Sequence, residues 1–142
     1  MFRSISDKLL VAPQISLADV AEAKAQGVTL IINNRPDDEE PGQINGAEIE
    51  AAAKAAGIGY VAIPVTHAGF SAPQVEAMIA ALKDAADGKT LAYCRSGTRS
   101  TLLWSLAAAK EGMNPSRIAS MAANAGYDIT PVRAMVDALA AG

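Results

Sequence analysis

Reactive and cross-linking side chains are scarce in this chain, which has one cysteine, one histidine and one tryptophan in 142 residues. A single cysteine excludes an intramolecular disulfide and any cysteine cage around a metal, so no metal or cofactor is expected. Positive charge is not in excess: twelve Lys and Arg stand against fifteen Asp and Glu, a net charge of −3. With no basic tract either, nucleic acid is excluded as a partner. No apolar run reaches the length of a membrane span, and Met1-Phe2-Arg3-Ser4 does not lead into a signal-peptide core. An unpaired reactive thiol is best kept in a reducing compartment, so a cytoplasmic location is expected. Aromatics are only 4% of a chain that is 51% apolar, which points to helices packed closely through alanine. The length suits one domain over residues 1–142, with enough chain for a proper core. No internal repeat is present.

What remains is a regular alternation of short apolar runs and helical stretches. Residues 8–12, 28–32, 60–65 and 89–93 read as strands, the second a continuous apolar run of the kind buried on both faces. Ser16 with Asp19, and Ser71 with Gln74, are capping pairs that open helices running to residue 26 and to about residue 87. A helix is expected over residues 47–56, another over 101–111, and two closing helices over about 116–124 and 132–140. The closing pair follow Asn114-Pro115 and Thr130-Pro131. This alternation predicts an α/β fold, a four-stranded mostly parallel sheet flanked by helices. In such sheets ligands bind beyond the carboxyl ends of the strands, so residues 33–38, 66–70 and the loop after residue 93 should share one edge.

That last loop, Cys94-Arg95-Ser96-Gly97-Thr98-Arg99-Ser100, carries the chemistry. A strand-end cysteine alone is more often a packed, inert thiol. Two arginines, a glycine and hydroxyls followed directly by a helix argue instead for a nucleophile. Backbone N–H groups of the loop and the positive helix end would stabilise a thiolate and seat an anion above it. Arg99 offers a two-pronged donor, and Ser100 can donate to the thiolate or the leaving atom. Arg95, Ser96, Gly97 and Thr98 complete the anion seat, and Arg35 is a further candidate lining residue. Lying on a loop, Arg99 should matter to anion binding more than to stability. His67 could donate a proton or a hydrogen bond to the substrate. Asp37 and Asp38 are the rival general acids, although they and their acidic neighbours also read as a solvated run pairing with Arg35.

The loop resembles that of single-domain rhodaneses, in which four residues separate Cys from Arg and a Ser or Thr follows. It is one residue shorter than the loop of protein tyrosine and dual-specificity phosphatases. Residues 28–43 (VTLIINNRPDDEEPGQ), residues 60–71 (YVAIPVTHAGFS) and the cysteine loop together resemble the beta-lactamase-hydrolase-like, phosphatase-like domain family over nearly the whole chain. The resemblance implies a cysteine-phosphatase-like fold of the phosphotyrosine phosphatase II type. It also implies a small anionic or persulfide substrate and a persulfide dioxygenase as partner. Dual-specificity phosphatases carry an aspartic acid where this chain has Thr66 and His67. That absence, with the short loop, favours a sulfurtransferase that carries sulfane sulfur as a Cys94 persulfide. The alternative is a phosphatase with a Cys94 phosphocysteine intermediate, and a third reading is a non-catalytic anion-binding or redox-sensing module.

Overall fold

The computed structural model describes residues 1–85 and 87–142. All four expected strands are present, as β2 (Leu9–Ala12), β3 (Val28–Asn33), β4 (Gly59–Ala62) and β5 (Lys89–Tyr93). The sheet, however, has five strands, not four: β1 (Arg3–Ser6) adds an antiparallel edge to the parallel set, in the order β1-β2-β5-β3-β4. Only Ile5 of β1 is buried, so the strand has no apolar run to mark it in the sequence. β4 stops at Ala62, short of the expected end, because Pro64 has no N–H for the ladder. The chain still follows β3, with Ile63 N–H donating to Asn33 O and Val65 N–H to Asn34 O.

Alternate strand residues feed two cores, as the period of a buried strand requires. Leu10, Ala12, Ile31, Leu91 and Tyr93 meet α1 (Leu17–Ala25) and α2 (Gly46–Ala55) on one face. Leu9, Val11, Ile32 and Ala92 meet the other face, covered by α3 (Ala72–Asp84), α4 (Thr98–Lys110), α5 (Pro115–Asn124) and α6 (Arg133–Ala141). The predicted capping boxes form at Ser16–Asp19 and Ser71–Gln74. α3 ends at Asp84, and position 86 of its expected continuation lies outside the described residues.

α4 starts at Thr98, three residues before the sequence suggested, with Gly97 at φ +92° as its N-cap. Glycine takes that left-handed conformation without the Cβ penalty other residues meet. Arg99 and Ser100 therefore sit in the first turn of a helix. That helix is buried on nearly every side from Ser100 to Ala109, which fixes the position of its N-terminus. Among the described residues no helix is long and apolar enough to cross a membrane.

Candidate active site

Parallel strands β2, β5, β3 and β4 all end at one edge, and β5 lies in the middle. Cys94 leaves β5 there, pinned by its neighbours. Its N–H donates to Ala12 O, Asn34 N–H donates to Tyr93 O, and Gln14 N–H donates to Arg95 O. The side chain is fully buried. Gly97 N–H donates to Cys94 Sγ at 3.1 Å, so the sulfur receives a backbone dipole at the mouth of α4. An amide donor and a helix N-terminus both favour negative charge at that point.

Arg99 is the second element. Its Nη1 donates to Glu39 Oε2 and to Val65 O, both at 2.7 Å, and its Nη2 donates to Glu39 Oε1 at 2.8 Å. A guanidinium has five N–H bonds. Three are thus committed, and the two left, on Nε and Nη2, share one edge: a side-on fork suited to an oxyanion. The Glu39 hydrogen bonds, above all, hold the Arg99 pKa above its ordinary value, and the nearby Cys94 charge adds to this.

Glu39 is largely buried and receives a second arginine, with Arg35 Nε on its Oε1 at 2.8 Å. Hydrogen bonding from Arg99, the largest influence, and then from Arg35 outweighs desolvation and brings its pKa down to about 2. Arg35 is itself buried, and each of its three nitrogens is tied, Nε to Glu39, Nη1 to Gln14 and Nη2 to Glu40. It braces its own loop. The sequence predicts a solvated acidic run pairing with Arg35; the pairing forms through Glu39 and Glu40, but Glu39 is built into the site. Glu40, at the surface, also meets Arg95 at 3.4 Å, and its pKa is lowered chiefly by the hydrogen bond from Arg35.

The other candidates fall in different places. Ser100 is fully buried, and its hydroxyl hydrogen goes to Asn34 Oδ1 at 2.7 Å, so it is not donated to the sulfur as the sequence suggested. The reason is Asn34, which sequence reasoning missed. Its Nδ2 donates to Ile63 O, and through Ser100 it joins β3, the segment after β4 and α4. Two asparagines at the end of an apolar strand were the only sign of it. Ser96 Oγ donates to Thr98 Oγ1 and accepts from Thr98 N–H, shaping the turn. Arg95 is exposed beside the loop. Asp37 accepts from Gly46 N–H at the start of α2, and Asp38 lies exposed at φ +63° on the same loop. Neither is drawn to the sulfur by any hydrogen bond among the described residues. His67 is exposed on the loop after β4, two residues beyond the carbonyl that receives Arg99. Among the described residues no three His, Cys, Asp or Glu side chains are grouped to hold a metal ion.

Residues 1–111 match the family described as beta-lactamase hydrolase-like protein, phosphatase-like domain. A beta-lactamase hydrolase-like protein of Agrobacterium fabrum is 36% identical over 126 residues, which are 88% of this chain and 29% of that protein. The chain thus spans under a third of the length of the curated relatives it matches. A phosphatase-like protein of Neisseria meningitidis has the same fold at a TM-score of 0.82 and 35% identity, over 96% of both chains. Pseudomonas aeruginosa TpbA, 17% identical, shares the fold at a TM-score of 0.68 over 99% of this chain and 88% of its own. These likenesses overturn the sulfurtransferase expectation. The four-residue spacing between cysteine and arginine, which favours sulfur chemistry when the loop is read alone, occurs here in a chain whose relatives are phosphatase-like. By family match and by identity to its relatives, this chain is a member of the beta-lactamase hydrolase-like protein, phosphatase-like domain family.

Proposed function

We propose that this domain hydrolyses phosphoric monoesters through a phosphocysteine intermediate on Cys94. The observation that carries the proposal is the fork of Arg99, held by Glu39 and Val65 and interacting with the Cys94 sulfur, which also accepts the Gly97 N–H. A phosphoryl group bound by that fork lies in reach of the sulfur. The thiolate attacks phosphorus, the P–O bond to the leaving group breaks, and the departing oxygen takes a proton. Water then attacks the phosphocysteine, returning the thiolate and releasing inorganic phosphate and a proton. Charge on the equatorial oxygens meets Arg99 and the loop amides, donors that need no rearrangement as the charge develops. His67 is the candidate proton donor, on the loop whose first carbonyl is tied to Arg99. Asp37 is occupied at α2.

Family membership supports an enzyme of the phosphatase type. The test is turnover of an aryl phosphate such as p-nitrophenyl phosphate. Activity should disappear in Cys94→Ser, and acid quenching of the wild type should leave one phosphoryl group on Cys94. Turnover that survives the serine substitution would sink the proposal.

A further inference from the structure

The peptide between Ser96 and Gly97 is held at both ends. Its N–H donates to Cys94 Sγ, and its carbonyl, Ser96 O, accepts from the Tyr127 hydroxyl at 3.1 Å. In a planar trans peptide those two groups point in opposite directions, so fixing one aims the other. Gly97 is the residue most able to let such a peptide turn over, because it is equally at ease on either side of φ = 0. Tyr127 packs directly on it, since a Cβ built on Gly97 would collide with the tyrosine hydroxyl and ring, and its hydroxyl is the donor that a turned peptide would lose. The tyrosine is in turn seated by Arg3, whose guanidinium lies 5.8 Å from the ring centroid while its Nη1 donates to Ala125 O. Two segments far apart in sequence, the edge strand β1 and the turn after α5, thus meet on the outer side of the cysteine loop. Burial raises the Tyr127 pKa above its ordinary value, with Cys94 charge adding to this and Arg3 opposing it, so the hydroxyl remains a donor at neutral pH.

We infer that Tyr127 is a positioning residue: its hydroxyl locks the 96–97 peptide in the orientation that points an N–H at the Cys94 sulfur. The link to catalysis rests on the phosphatase reading, whereas the link to the sulfur does not. Tyr127 lies beyond residues 1–111, the part of the chain that matches the family.

The test uses Tyr127→Phe, which keeps the ring and removes the hydroxyl, beside Tyr127→Leu, which removes both. Cys94 is the only cysteine, so thiolate absorbance at about 240 nm reports it alone below about pH 9, where the tyrosines stay protonated. Tyr127→Phe should raise the proton affinity of the sulfur about threefold to tenfold, the scale of one weakened charge-assisted hydrogen bond. It should lower kcat/KM for p-nitrophenyl phosphate by a similar factor while thermal unfolding moves little. Tyr127→Leu should reproduce the thiolate change and also lower the melting temperature through the lost ring. An unchanged thiolate titration in Tyr127→Phe would overturn the inference. So would a Tyr127→Phe protein that loses its fold, since the residue would then be structural and not a brace. If the wild type fails to hydrolyse the phosphate ester, the phosphatase reading falls, and the titration still decides the brace.

Discussion

Two loops leave the carboxyl ends of β3 and β4, both touch Arg99, and they are built in opposite ways. The loop over residues 34–45 is cross-braced: Arg35 binds Gln14, Glu39 and Glu40, while Gln43 takes the Glu39 N–H and donates to Pro36 O. Asp37 ties the same loop to the start of α2. The loop after β4 receives Arg99 on Val65 O; beyond it, residues 66–69 have two local bonds, from Ala68 N–H to Thr66 Oγ1 and from Gly69 N–H to Thr66 O, and their side chains face solvent. The braced loop supplies a carboxylate that must not move if the fork of Arg99 is to keep its direction. The open loop supplies a backbone carbonyl and an imidazole free to meet a substrate. Rigidity is concentrated where an anion is to be gripped, and the candidate proton donor is left outside it.

Removing Arg99 tests the comparison most severely. Arg99→Ala should reduce kcat/KM for an aryl phosphate about 100-fold to 1,000-fold, the usual cost of losing a donor aimed at developing charge. The sequence suggested that this change would spare stability, and the structure alters that expectation. Glu39 would remain largely buried with only Arg35 as partner, and breaking a buried pair from one side costs about 3 kcal/mol. A clear fall in melting temperature should accompany the loss of activity. If the melting temperature holds, the Glu39–Arg99 pair contributes little to the fold.

Glu39→Gln separates brace from ligand. It keeps the shape and removes the charge, so the fork of Arg99 survives in a looser setting. A stability loss of about 2–3 kcal/mol is expected, as for hydrogen bonds to charged groups left half-made. The pH dependence gives the sign. Glu39 in the folded chain titrates at about 2, below its ordinary 4.5, so the folded state holds its carboxylate more strongly than the unfolded state does. Its stabilisation is fully present above the ordinary carboxylate range and is lost as pH falls through about 2. The stability gap between wild type and Glu39→Gln, from urea unfolding, should therefore be flat above about pH 5 and narrow towards pH 2. A gap independent of pH would mean that packing, not charge, holds that loop.

Much of this architecture was legible because local rules govern it. Apolar runs marked β2 to β5, and capping pairs at Ser16 and Ser71 marked the starts of α1 and α3. The cysteine loop declared itself by composition. What stayed hidden depends on partners distant in sequence. An acidic stretch at residues 37–40 reads the same whether solvated or folded inward, and only the arrival of Arg99, sixty residues on, distinguishes the cases. Ser100 looked like a donor to the sulfur because the loop was read alone, without Asn34 across the sheet edge. Tyr127 was hidden for the same reason. One tyrosine after a helix carries no local pattern, and its meaning comes from β1 and the loop meeting beside it.

The smallest effect should come from the open loop, and there it is the pattern across substrates that counts. His67→Ala removes an exposed side chain with no hydrogen bond or ion pair among the described residues, so unfolding free energy should stay within about 0.5 kcal/mol. If the imidazole protonates the leaving oxygen, its loss falls on esters whose leaving group needs a proton. An alkyl phosphate should slow about tenfold or more, since general acids contribute about 100-fold to 10,000-fold where they act and water partly replaces an exposed one. p-Nitrophenyl phosphate, whose phenolate leaves unaided, should change little. Equal slowing of both substrates would place His67 in binding and not in proton transfer, and no slowing of either would make the loop after β4 a spectator.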